Sequence, residues 1–491
     1  MRRFSHTARC FCLLLLALPT VAQDFVWTPG LQRAYTDLTK GKLQPARQVL
    51  AAEANKRNGI YVYVANYADM VALLASDDDR LLDQLAPNES ARLGQLAALD
   101  EASPYQRLLL AEVRLHWAFV KLKFGKDLVA SWGVIKAYKL LVANQRLFPN
   151  FLLTYKSLGT LRIMIGSVPD SYAWVARLLG LRGDVRQGLA DLQRAHQDPV
   201  FRTETRLAAL LIQAYVLRFS EADEASLRQF VAESPDNLLV RFFAATTEMK
   251  NARSEQALAW LGSRPTGPAY VSLPIIDNLL GDIYLQKGQY GPALAHYGQF
   301  LTNYRGQSFV KDTHYKRFLC YWLSGDVAPA RPEILLVLAR GRTTAEADKA
   351  AQKAAEAYRK TFPGAGQRVL MQARLASDGG YLDEALMVLK PSTETTFATV
   401  AERAEYQYRL GRIYQKMNNM PVAIAAFNRS VVLSESGQLS FGATSSLQLG
   451  YIYQQLGDPA KAGQAFGKAL SYKQHEYKNS VDNKAKAGLN Q

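Results

Sequence analysis

The chain has 491 residues, 48% hydrophobic and 21% charged, with 59 Lys and Arg against 43 Asp and Glu. That apolar share excludes an intrinsically disordered chain, and ordinary Gly and Pro contents exclude a collagen-like or low-complexity one. The surplus of +16 points to an acidic partner, and the length suits about three domains of roughly 150 residues or one elongated repeat array.

Arg2, Arg3 and Arg9 precede an apolar run from Phe11 to Leu18, and Pro19-Thr-Val-Ala22 follows. A basic start, a short apolar run and a small-residue exit predict a signal peptide over 1–22, cut after Ala22. The run is too short for a bilayer, which takes about 20 residues. Cys10 and Cys12 lie before the run or at its start, where neither suits a lipoprotein anchor. Export is therefore expected, into the periplasm or beyond, and the setting suits a bacterium. The leader carries three Arg and no acid, which leaves the remainder at +13 and with Cys320 as its one cysteine. In Arg317-Phe-Leu-Cys-Tyr-Trp322 that thiol reads as buried and free, so no internal disulfide is expected.

Further along, Gly41, Leu43, Ala46 and Leu50 fit the second half of a helix pair. Ile60-Tyr-Val-Tyr-Val64 is β-prone, yet the apolar spacing through Tyr67, Met70, Val71 and Leu74 continues as a helix. Ser157 to Leu181 is mostly apolar but holds Arg162, Asp170 and Arg177, a costly set for a bilayer span. It reads as two buried helices joined at Pro169, with a membrane-touching amphipathic hairpin as the alternative. Leu261-Gly-Ser-Arg-Pro-Thr-Gly-Pro268 breaks the helical pattern. It separates an irregular half, 23–262, from clearer repeats over 269–470, and the two halves can still stack as one superhelix.

The clearest unit starts at Leu280-Gly281-x-x-Tyr284 and continues with Gly288, Tyr290, Ala293, Tyr297 and Phe300. The same offsets recur from Leu410-Gly411 (Tyr414, Asn418, Met420, Ala423, Phe427) and from Leu449-Gly450 (Tyr453, Gly457, Pro459, Ala462, Phe466). Small residues at the Gly and Ala positions allow close helix approach. The Tyr and Phe positions are expected to fill the gap between neighbouring repeats, and Gly or Asn to end the first helix in a left-handed turn. Gly325 to Ala330 and Gly380, Leu382, Ala385 and Leu389 fit more loosely, and Ser434–Gln438 reads as an extended loop. Residues 471–491 read as a polar capping helix and tail, because a solenoid's last repeat otherwise exposes its apolar face.

These units resemble the tetratricopeptide repeat, a pair of antiparallel helices. The resemblance implies an all-α fold: an α-solenoid of tetratricopeptide-like helix pairs with an irregular helical N-terminal half and a C-terminal capping helix. A second resemblance covers residues 155–195, where Tyr155-Lys-Ser-Leu-Gly-Thr-Leu leads to Ser167-Val-Pro169, then Leu179-Gly-Leu-Arg-Gly-Asp184 and Gly188-Leu. It is similar to a segment of the tetratricopeptide repeat protein 39 family and its fungal mitochondrial outer-membrane, inclusion-clearance relatives, with Leu181 in place of Phe. That resemblance implies helical architecture without catalysis, and links to aggregate clearance and lipid handling.

Catalytic and metal motifs are missing: there is no His-Glu-x-x-His, Walker loop or Gly-x-Ser-x-Gly elbow. His116, His196, His296, His314 and His475 stand singly and read as helix-face residues. Gly364-Ala-Gly-Gln-Arg follows Pro363 with no strand before it, which removes a dinucleotide reading. No catalytic residue, metal or cofactor is expected. The basic runs Lys311–Arg317 and Lys473–Lys486 are interleaved with acids or Asn, which suits solvated helix faces, so no nucleic-acid partner is expected.

In the repeat class this chain resembles, the first helices line a concave groove. Carrying those positions over gives Asn278, Asp282 and Gln286, then Tyr408, Arg412, Gln415 and Lys416, then Tyr451, Gln454 and Gln455, with Glu405 where some relatives carry Lys. Tyr, Arg and Gln on a rigid face suit a peptide ligand. The sequence thus predicts an exported, non-enzymatic scaffold whose partner is a protein of the cell envelope, with an anionic surface or lipid as a further partner. The alternative is a lipid or hydrophobic-ligand carrier that uses Ser157–Leu181.

Overall fold

A computed structural model describes residues 24–168, 174, 176–217, 219–475 and 477–489 of the chain. The expected leader, Pro169 and Asp170 lie outside the described residues. Helices account for the regular structure, and no strand occurs among the described residues.

The N-terminal half begins with a hairpin of the Pro29–Thr39 and Leu43–Ala52 helices, opened by the Thr28 side chain accepting from Leu31 N–H and turned at Gly41, φ 78°. Leu43, Ala46 and Leu50 are buried as the spacing predicted. Ile60–Val64 lies in the Gly59–Ser76 helix, buried on nearly every side. By length and composition this is the one described helix able to cross a membrane, but an apolar circumference here serves a core position, with the Pro104–Lys123 helix packed against it. The Thr154–Gly166 and Val185–Ala195 helices cross with Gly159 facing Gly188. A Cβ on Gly159 would stand 2.8 Å from the Gly188 carbonyl oxygen, so the glycines of this segment set a backbone-to-backbone crossing. The segment is not uniformly buried, however: Leu158, Leu161 and Ile163 are enclosed, whereas Trp174 and Leu178 are 58% and 78% exposed. The expectation of two buried helices therefore holds only for the first.

Helix pairs fill the second half: Ile275–Gln286 with Tyr290–Asn303, Val310–Ser324 with Val327–Ala339, Ala365–Gly379 with Leu382–Leu389, Val400–Lys416 with Met420–Ser434, and Ser440–Gln455 with Pro459–Ser471. Left-handed residues end the first helices where predicted, at Gly288 (φ 73°), Asn418 (59°) and Gly457 (73°). The aromatic positions share clusters with the next helices, Tyr297 with Phe318 and Trp322 and Phe427 with Leu449 and Ile452, and they also close their own hairpins. Tyr297, Phe427 and Phe466 lie over Gly281, Gly411 and Gly450 of their own repeats, and a Cβ on Gly411 would stand 2.6 Å from the Phe427 ring. They therefore seal each hairpin internally. The last helix, Lys478–Leu489, starts later than the predicted cap and brings Gly488 onto the other side of Phe466.

The halves meet at several places, among them Ser254 with Gln286 and Glu255 with both Lys287 and Tyr381. Residues 263–274 lie between helices at the predicted boundary, and Val271 N–H donates to the Gly41 carbonyl at 2.7 Å. Asp77, fully enclosed and left-handed at φ 52°, accepts from Tyr304 Oη at 2.7 Å and from Ser308 N–H at 3.1 Å. Cys320 is buried and free, its thiol pushed up to about 12 by burial.

One surface expectation is overturned. Lys311 is buried and donates to the Val337 carbonyl at 2.8 Å, Lys316 is paired inside the fold, and Arg317 reaches Glu333 at 2.7 Å. The Lys311–Arg317 run is thus interior wiring and not a solvated face. His116 and His314 are likewise buried, the latter 2.7 Å from Glu333.

Candidate ligand-binding site

Between the two halves lies a cavity of ≈ 830 Å³. Apolar side chains make most of its wall, among them Met70, Leu74, Leu211, Phe242 and Phe243. They come from helices whose inward apolar stripes are wider than their neighbours cover, and the uncovered remainder is the cavity.

Two charged clusters interrupt that wall. In the first, Lys156 Nζ lies 2.9 Å from Glu112 and 3.0 Å from Glu204, and 4.5 Å from the centroid of the Phe201 ring. Ser157 donates to Glu112, and Tyr35 donates to Glu204. Burial works against the Lys156 charge, but the two carboxylates outweigh it and hold the ammonium above its ordinary range. His116 stands beside this cluster. Asn66 Oδ1 accepts from Trp117 Nε1 at 2.9 Å and from Arg92 at 3.1 Å, which fixes the amide so that its Nδ2 donates to His116 Nδ1 at 3.0 Å. The imidazole proton therefore sits on Nε2. Burial, and then Lys156, push the His116 pKa down to about 3, so the ring is neutral.

In the second cluster Lys316 bridges Asp282 at 2.8 Å and Asp312 at 2.6 Å, and Tyr297 Oη donates to Asp282 at 2.7 Å. Burial opposes the Lys316 charge and the aspartates restore it, above the ordinary range; burial pushes the Asp282 carboxyl up. Asp282, Asp312 and Lys316 also line a second cavity of ≈ 500 Å³, so this triad forms the waist between two spaces. Lys123, near the end of its helix, lines the larger cavity one turn beyond the 40%-exposed Phe119. It has no ion-pair or hydrogen-bond partner among the described residues, and burial holds its ammonium below the ordinary range despite Asp77.

Each cluster commits its lysine to two carboxylates, which suits a fixed wall better than proton transfer. No group of three or more metal-ligating side chains occurs among the described residues.

The residues singled out in sequence fall into two places. Asn278 and Asp282 line the larger cavity, Asn278 donating to Thr313 at 2.7 Å, and Gln286 lines the smaller one while accepting from Ser254 at 2.7 Å. The others form a separate face on the last two repeats. There Arg412 donates to Gln415 at 3.0 Å and across to Gln448 at 2.6 Å, Lys416 donates to the Ser377 carbonyl, and Gln454 donates to the Gly488 carbonyl at 2.9 Å. Tyr408 and Tyr451 are half-buried, Gln455 is exposed, and Glu405 pairs with Arg409 at 2.6 Å. Glu112, Lys123, Lys156, Glu204, Asp312 and Lys316 were not singled out. The available signal was a lone charge inside an apolar helical run, as in Leu109-Leu-Ala-Glu-Val113.

The family model of the tetratricopeptide repeat matches residues 404–436 and 443–476. No curated protein sequence matches the chain. Solved structures similar to it include the apo form of the quorum sensor NprR from B. thuringiensis, at 13% identity over 82% of this chain and 97% of that one, with a TM-score of 0.35. A monomeric mutant of IFIT1 with Gppp-AAAA is similar at 14% identity, covering 89% and 99%, with a TM-score of 0.29. The TPR domain of P58(IPK) is similar at 14% identity, covering 86% and 96%, with a TM-score of 0.21.

Proposed function

For a chain that carries tetratricopeptide repeats in an all-helical solenoid, we propose the role of a non-enzymatic scaffold, exported to the bacterial cell envelope, that binds another envelope protein. The observation that carries this reading is the face of the last two repeats. Arg412 bonds across to Gln448 in the next first helix, with Tyr408 and Tyr451 half-buried on the same pair of helices. A bonded Tyr, Arg and Gln surface offers aromatic contact and hydrogen bonding at little ordering cost.

The test is a photo-crosslinking residue placed at the exposed Gln455 in the full-length chain in its own host, with cell fractionation and mass spectrometry of the products. One dominant envelope protein, lost on Arg412→Ala, supports the reading. A chain that stays in the cytoplasm, or crosslinks no different from those of an unrelated surface position, defeats it.

A second reading, carriage of a hydrophobic ligand, is favoured by Ser157 and Leu161 lining the ≈ 830 Å³ cavity. Organic extraction of the purified mature chain tests it directly: an empty extract from protein isolated without detergent counts against it.

A further inference from the structure

The charged groups of the larger cavity differ in one respect. Lys156 and Lys316 are each held by two carboxylates, whereas Lys123 has no partner among the described residues. We propose that the cavity binds a single-chain amphiphile with one carboxylate head, the head pairing with Lys123 at the rim and the chain lying along the apolar wall. This rests on the hydrophobic-ligand reading and adds to it the head group and the residue that recognises it.

Three observations converge on this assignment. First, the space is of the size that encloses small ligands, which runs to about 1,000 Å³, and its wall is apolar between the charged clusters. Second, the clusters repel an anion from the interior, because each surrounds one lysine with two carboxylates. A cationic head finds no free carboxylate there either, since the lysines already occupy them. A charged head is therefore confined to the rim. Third, Lys123 stands at that rim, one helical turn from the exposed Phe119, where a carboxylate keeps part of its hydration while the chain passes inward. An ammonium disfavoured by burial gains more from such a partner than a solvated one does.

Isothermal titration of the full mature chain with palmitate, hexadecanol and hexadecylammonium, each below its aggregation threshold, tests the assignment. Palmitate is expected to bind one to one. Hexadecanol on the parent chain, and palmitate on Lys123→Met, are each expected to bind about tenfold more weakly, ~1.4 kcal/mol. Ala208→Trp, on the cavity wall, is expected to abolish binding with its helical content unchanged, and Leu211→Trp replaces it if that variant does not fold. Equal palmitate affinity for Lys123→Met and parent, or tighter binding of hexadecylammonium than of palmitate, overturns the head-group assignment while the cavity still holds a hydrophobic ligand. No binding of any of the three compounds overturns the assignment together with the reading beneath it.

Discussion

Tyr304 donates its phenolic proton to Asp77 at 2.7 Å, a bond that joins the repeats to the N-terminal half across 227 residues of sequence. Asp77 is fully enclosed, and the neighbouring ion pair of Arg342 with Asp79 at 3.1 Å lies nearer solvent. The first prediction follows from that asymmetry. Tyr304→Phe removes one of the two donors to the buried Asp77 Oδ2, leaving only Ser308 N–H, and is expected to destabilise the protein by about 1–3 kcal/mol. Arg342→Ala, at an exposed pair, is expected to cost under about 1 kcal/mol. Urea unfolding of the two variants beside the parent gives both numbers, and equal losses would contradict this account of the junction.

Gly411→Ala is expected to destabilise by about 1–3 kcal/mol, because its Cβ would press on the Phe427 ring. The double variant Gly411→Ala with Phe427→Leu is expected to lose less than the two single losses added together, since the smaller side chain vacates the space the methyl needs. Thermal unfolding of the four chains of this cycle measures that coupling. Strict additivity would mean that the ring and the glycine do not constrain each other.

His116 makes stability fall with acid in a defined window. Its ordinary pKa is about 6.5, and in the fold it lies near 3, so the folded state favours the neutral ring. The contribution is complete above about pH 6.5 and is lost at ~1.4 kcal/mol per pH unit as pH falls towards 3. His116→Gln removes that titration. Between pH 7 and pH 4.5 the parent is expected to lose about 2 kcal/mol more than the variant, measured by denaturant unfolding at the two pH values. Parallel losses would place the acid sensitivity elsewhere.

Lys316→Met strands Asp282 and Asp312 beside each other inside the protein and is expected to cost about 3–5 kcal/mol at neutral pH. The loss is expected to shrink on acidification, because burial already pushes the Asp282 carboxyl up and a protonated aspartic acid no longer repels its neighbour. Asp282→Asn added to Lys316→Met is expected to recover part of the stability at pH 7. Unfolding midpoints of the single and double variants at pH 7 and pH 5 decide the matter, and a pH-independent deficit would sink the explanation.

The repeats were legible because a hairpin sealed by a ring over a glycine imposes fixed offsets along one short stretch of chain, as from Gly281 to Tyr297. That the ring closes its own hairpin as well as meeting the next helix was not legible, since the offset is the same in either case. The Lys311–Arg317 run shows a different limit. Alternating charge on a helix reads as a solvated face, and only the approach of Asp282, Glu333 and the Val337 carbonyl from other helices makes it interior. The cavity was hidden for the same reason. Glu112, Lys156 and Glu204 come from three helices far apart in sequence, and no spacing in the chain announces that they meet.

Phe466 is covered on one side by Gly450 of its own repeat and on the other by Gly488 of the final helix. The final helix thus imitates the glycine-bearing surface of a repeat and occupies the stacking position that a further helix would take. The Phe466 ring is thereby closed on both faces within one molecule and offers no surface of its own to a second.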